Sequence, residues 1–298
     1  MFEFYYPEIV YNEPSFWSSL FITLIGTFVG FIGAFYLVNI GRNKQKKLDN
    51  QKTIDDYNSR LSYFFLLIDS AIKNTEKQID NFELLAKEIK INPLEINLLP
   101  MVASLDIERL QKMDTVEIFN AYNELVPDSN EKLKDYKNIF NSVDFISMRI
   151  KQGFNSNEKH IGFLHKDQLF VKENIEGLSD ELIKEIKHTE ANVEDFNNNI
   201  DYQFLTRSHS KYYDLVESEA KLSQIETEFL IPFGKELRQN HSKKPFFFNH
   251  YVYTSKSIIR FNHIKVNATI FANEIFDIRK EMKEPIEKLT EINEKVVE

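Results

Sequence analysis

The chain has 298 residues, a formal net charge of −9, 42% hydrophobic and 28% charged residues, and no cysteine. These are values of a folded protein, and the missing thiols exclude disulfides, thiolate catalysis and cysteine-bound zinc or iron. The acidic balance argues against sequence-independent binding to phosphate backbones over the whole surface, so any nucleic-acid contact would be a local patch.

Glycine and proline number only 8 each. Both residues punctuate strands and turns, so their scarcity predicts long helices with few connections, and the expected fold class is all-α. Residues 1–15 carry Glu3, Glu8 and Glu13 among Phe2, Phe4, Tyr5, Tyr6 and Tyr11. A secretory signal would begin with basic residues and end at a small-residue cleavage site, so this stretch reads as a short retained tail whose rings suit a headgroup layer.

Residues 16–40 contain no charge. A helix of that length crosses a hydrocarbon core about 30 Å thick, and the segment is predicted to be a transmembrane helix. Arg42, Lys44, Lys46 and Lys47 follow at once. Basic residues beside a span stay on the cytoplasmic side and are attracted to anionic lipid, which orients the N-terminus outward and the larger C-terminal part into the cytoplasm, anchored in the inner (plasma) membrane. Within the span Gly26, Gly30 and Ala34 recur every four residues. Small residues at that spacing let helices approach closely in lipid and predict a homo-oligomer.

Residues 41–92 form the basic segment and a long amphipathic helix. Leu61, Ile68, Thr75, Phe82 and Ile89 make one row, and Tyr57, Phe64, Ala71, Gln78 and Leu85 make a second. A third row of Phe65, Ile72, Ile79 and Ala86 widens the stripe beyond a coiled-coil seam and favours packing in a bundle. No breaker intervenes before Asn92 and Pro93, so span and amphipathic helix are expected to be continuous.

Residues 93–298 read as a cytosolic helical domain. Asp114 and Glu117 suit a capping box. Helices are expected at about 131–150, with Leu133, Tyr136, Phe140, Val143 and Ile150 facing inward and Gly153 as a break, then at 157–173 and 179–197. Asn197 to Asn199 mark a joint, and long patterns follow over 202–240 and 251–294. Pro232 and Pro285 each imply a kink, a break or a new first turn. Between the last two patterns, Lys243, Lys244, Phe246, Phe247, Phe248 and Tyr251 stand together as a distinctive loop. It could dock a protein partner, touch a membrane or stack a nucleic-acid strand, or its rings could fold into the core, which is the preferred reading; nucleic acid is disfavoured by the charge.

Catalytic signals are weak. His160 and His165 lie five apart and so on different faces of a helix, no His-Glu-x-x-His occurs, and no metal or other cofactor is expected. Arg207, His209, Arg238 and His241 could converge on a cryptic site, although Arg238 and His241 are too close in sequence for the Arg-x4–6-His spacing of helical RNases. The Asn267-Ala268-Thr269 sequon falls within a predicted cytosolic helix. The asparagine, lysine, isoleucine and phenylalanine bias resembles translation from an AT-rich bacterial genome. Two readings remain: a membrane-anchored oligomer acting by assembly or protein interaction, as defence effectors and sensors do, and a membrane-tethered helical nuclease.

Overall fold

A computed structural model describes residues 16–102, 105–127, 129–241 and 244–297. The acidic, aromatic tail and Lys243 lie outside the described residues. The chain is all-helical, at 90% helix, with no strand among the described residues.

Helix α1 (Phe16–Ile91) runs unbroken for 76 residues. Residues 19–56 are exposed without exception, so the apolar stretch has no protein neighbour in the chain. Both of its threonine hydroxyls are satisfied internally: Thr23 donates to the carbonyl of Ser19 and Thr27 to that of Thr23, each at 2.8 Å. From Leu61 onward every residue of the three apolar rows is buried, between 0% and 8% exposed. The stripe is consumed inside the chain, so the seam of a two-stranded coil is not free.

Two short helices, α2 (Leu105–Lys112) and α3 (Thr115–Leu125), pack on this stripe. Asp114 caps α3 by accepting from the backbone N–H groups of Val116 at 2.8 Å and Glu117 at 3.2 Å. The capping box is only half made, because the Glu117 carboxylate turns away to pair with Arg60 of α1.

Helix α4 (Lys132–Asn192) spans 61 residues and absorbs three expected helices. Gly153 does not break it. A Cβ at Gly153 would lie 2.5 Å from Cζ of Phe82, and one at Gly177 would lie 2.9 Å from Cε1 of Tyr253. Both glycines are sockets for aromatic rings of neighbouring helices. Tertiary packing thus overrides the low helix propensity of glycine, which is about 1 kcal/mol. Leu133, expected to face inward, is 65% exposed, whereas Val143, Ile150 and the unforeseen Ile139 and Ile146 are buried.

The joint at Asn197–Asn199 is present: a 3-10 turn (Phe196–Asn198) leads to α5 (Ile200–Glu217), capped by Asn199. The pattern over 202–240 is not one helix. Glu219 adopts φ 54°, with Ala220 N–H bonded to Leu215 O at 2.9 Å and Glu219 N–H to Val216 O at 3.1 Å. These two bonds are a Schellman cap, with glutamate in the left-handed position usually held by glycine.

The chain resumes as α6 (Leu222–Gln224), a π segment π1 (Ile225–Leu230), α7 (Ile231–Glu236) and a second π segment π2 (Leu237–His241). Pro232, which has no N–H to donate, is accommodated at the start of α7, between the two wider turns. A 3-10 turn (Pro245–Phe247) then opens α8 (Phe248–Val297), with Pro285 in its interior. The expected aromatic loop is therefore mostly the beginning of a helix.

Helices α4 and α8 form an antiparallel spine. Arg149 pairs with Glu281 at 2.6 Å, Ser156 donates to Glu274 at 2.6 Å, and Asn249 donates to Glu181 at 3.0 Å, all in one register. On one half of the spine the buried half of α1 completes the first core, which includes Phe64, Phe82, Ile139, Ile146, Ile275 and Met282. On the other half α5, π1 and α7 complete a second core around Leu178, Phe204, Phe229, Phe233 and Phe261.

The Phe82 socket makes a stability forecast. Gly153→Ala should destabilise by about 1–3 kcal/mol through overpacking, and Phe82→Leu should recover part of that loss. Gly162, which has nothing within 4 Å of an added Cβ, should instead gain up to about 1 kcal/mol on change to alanine. Urea denaturation of the three variants measures both signs.

Candidate functional site

The residues of the predicted span come first. An added Cβ at Gly26 or Gly30 meets nothing within 4 Å, and Ala34 is exposed, so this helix face is open. Arg42, Lys44, Lys46 and Lys47 are exposed on the bare part of α1 and make no ion pair among the described residues. The first helix is long and apolar enough to cross a bilayer.

The four arginine and histidine residues do not form one site. Arg207 on α5 is held by Glu236 of α7 at 2.5 Å. His209 is half-buried and lies near Tyr213, with ring centroids 6.4 Å apart. Arg238 and His241 belong to π2 and line one cavity, which neither Arg207 nor His209 enters. His241 is buried, stacked on Phe204 at 4.5 Å. Its Nδ1 lies 2.8 Å from Oδ1 of Asp201. The approach is close but not aligned for a hydrogen bond. The second Asp201 oxygen accepts from Lys244.

The aromatic cluster divides. Phe247 is buried at 2% exposure, touching Phe204 and His241, whereas Phe248 is 67% exposed, Tyr251 43% and Phe246 38%. The expectation that the rings fold into the core thus holds for Phe247, and for Tyr253, which packs on the second core, but not for Phe248. The cluster also sits at the end of the spine away from the apolar stretch, and α8 is about 75 Å long at 1.5 Å per residue.

A polar cluster that no local motif announces lies within the spine. Asp167 of α4, 6% exposed, accepts from Arg260 at 3.0 Å and lies 2.9 Å from Nδ1 of His263. The Arg260 guanidinium also covers the Phe170 ring at 4.4 Å. Nearby, buried Glu226 of π1 accepts from Lys265 at 2.7 Å. A buried carboxylate needs such partners, and satisfying them fixes the register of the helices that supply them. Arg260, His263 and Lys265 fall within two turns of α8, but their acidic partners are far away in sequence. The ring of His160 stacks on Phe271 at 4.3 Å, and burial lowers its pKa. Among the described residues no group of three or more histidine or acidic side chains could hold a metal.

His250 is the other buried titratable group. It is fully buried, and neither ring nitrogen makes an aligned hydrogen bond. Burial pushes its pKa down to about 4, the carboxylate of Glu181 and the carbonyls of Phe246 and Glu181 offsetting part of the shift.

Comparison with protein families, curated proteins and solved structures finds no match to this chain.

The His250 environment fixes a pH dependence. A histidine whose folded pKa lies below its unfolded value keeps its full stability above the unfolded pKa and loses it as pH falls towards the folded one. Between pH 7 and pH 4.5, His250 should therefore withdraw about 2–3 kcal/mol, since its pKa moves from 6.5 to about 4. His250→Gln cannot take up that proton. Urea stability of the full chain in detergent should fall less steeply with acid in the variant, by that amount.

Proposed function

We propose that the chain is a single-pass membrane protein that acts by self-assembly and protein interaction, with the bundle of residues 93–298 in the cytoplasm. The observation that carries this reading is helix α1. Its first part is apolar and bare, and the same helix continues without a break into the wall of the first core. A bare apolar helix of this length is stable when lipid or other helices surround it. The open Gly26, Gly30 and Ala34 face supports close packing with a second copy.

The bundle also supports a protein partner. Ile259, Val266 and Ile270 are exposed along one face of α8, beside exposed Phe163 of α4. An apolar strip of this kind on a charged surface suits a protein contact. The nuclease reading draws no comparable support, because Arg207 is engaged by Glu236 outside the cavity that Arg238 and His241 line.

Topology is tested with the chain's own lack of cysteine. A single cysteine at Asn12 should react with an impermeant maleimide on intact cells, and one at Asn199 only after lysis; the opposite pattern overturns the orientation.

Assembly is tested in the span. Gly26→Leu with Gly30→Leu should weaken self-association by about 1–3 kcal/mol, read as loss of the crosslinked oligomer in membranes. Replacing residues 16–40 with an unrelated monomeric anchor should keep the protein at the membrane and abolish any effect of its expression on membrane potential. An unchanged effect would place the activity in the bundle, and breakdown of cellular RNA or DNA would revive the nuclease reading.

A further inference from the structure

The cavity beside π2 combines features that the membrane reading does not use. Its volume is about 310 Å³, near the lower end of the roughly 300–1,000 Å³ typical of small-molecule sites. One wall is π2 itself, which contributes Leu237, Arg238 and His241. A π turn is a weaker way to close a helix than an α turn, and such turns concentrate at functional sites. Here it presents three side chains of different chemistry to one hollow.

The floor is apolar and fixed: Leu237 is 1% exposed and Phe247 2%. At the rim stand two rings in an unusual condition for aromatics, Phe248 at 67% and Tyr251 at 43% exposure. Flat faces left open in this way suit stacking by a planar ring, which contributes about 1–3 kcal/mol per nucleic-acid base.

The charge at the rim is positive. In the bundle Arg109, Arg149, Arg207, Arg260 and Arg279 each meet a carboxylate. Arg238 is exposed and meets none among the described residues. A guanidinium is shaped for bidentate contact with a phosphate or carboxylate. Lys244 adds an ammonium, positioned by Asp201, which is not itself part of the lining. The cavity also sits at the N-terminal end of α8, where the helix dipole favours an anion.

We propose that this cavity binds a nucleoside monophosphate, with Arg238 and Lys244 holding the phosphate and the base stacked on Phe248 and Tyr251. Its volume suits one nucleotide rather than a dinucleotide cofactor or a length of strand. The net charge of −9 over the whole chain disfavours a long polyanion. The site is far from the apolar stretch and stands independently of the membrane reading.

The test is equilibrium dialysis of the full chain in detergent against AMP and GMP, with adenosine, inorganic phosphate and a six-nucleotide single-stranded RNA as comparisons. At least one mononucleotide should bind saturably, and adenosine and phosphate at least tenfold more weakly. Arg238→Gln should weaken the nucleotide tenfold or more while leaving adenosine unchanged. Phe248→Ala with Tyr251→Leu should weaken both nucleotide and adenosine. All three positions are exposed or half-exposed, and unchanged helical circular dichroism would establish that the variants fold. Absence of nucleotide binding, equal binding by phosphate alone, or full affinity in Arg238→Gln would each overturn the proposal. Tenfold tighter binding of the RNA would overturn it in favour of a nucleic-acid end.

Discussion

The structure depends on the antiparallel contact between α4 and α8. Most of the stability of a helix in a folded protein comes from packing its apolar face rather than from propensity, so the mutual burial of α4 and α8 is what allows two separate cores to share one spine. Ring-into-glycine contacts set the spacing: Tyr253 of α8 sits over Gly177 of α4, and Phe82 of α1 sits over Gly153. Polar pairs set the register. Arg149 with Glu281, Asp167 with Arg260 and His263, and Glu181 with Asn249 are all satisfied in one alignment. A slip of one helical turn would bury Asp167 without partners, a loss of several kcal/mol for a desolvated charge.

The third helix of the bundle is supplied twice. Helix α1 covers the first half of the spine and ends at Ile91, and the hairpin of α5 with residues 222–241 covers the second half. The handover is made by the connection after α1. Leu94 enters the second core, its carbonyl accepts from Gln168 of α4 at 2.7 Å, and Glu95 pairs with Lys221 at 2.5 Å. One continuous spine with an exchanged partner explains how a chain this poor in turns builds an elongated bundle without a second set of long helices.

Much of this was legible locally. The apolar rows from Leu61 to Ile89, the cap at Asp114, the joint at Asn199 and the long C-terminal helix all follow from spacing and cap chemistry. The errors occur where a residue's local meaning is reversed by a distant neighbour or where its backbone departs from what its type favours. Gly153 reads as a break until Phe82 is known to need the space. Glu219 gives no stop signal, because its left-handed conformation is one that sequence rules reserve for glycine and asparagine. The Asp167 cluster joins residues more than ninety positions apart, and the only hint within reach was three basic side chains close together on α8. The Arg238 cavity was half legible, since its lysine and rings stand together in sequence, but the π turn that brings Arg238 and His241 to them leaves no pattern of its own.

Geometry also limits how the two ends of the molecule can communicate. Residues 41–60 of α1 are bare, or nearly so, and as a helix they extend about 30 Å. Beyond them the spine adds about 75 Å, so the His241 cluster and the apolar stretch are on the order of 100 Å apart. At that distance direct Coulomb interaction is screened out, the Debye length being about 8 Å at physiological salt. Any coupling between them must therefore pass through packed side chains, from the second core along α4 and α8 to the first, and from there into α1. The contacts that could carry it are the ones that set the register: Arg279 of α8 pairs with Glu83 of α1, next to the Phe82 ring held in the Gly153 socket of α4. Helix α1 is continuous through this region, so movement of its buried half has no loop in which to dissipate before it reaches residue 40.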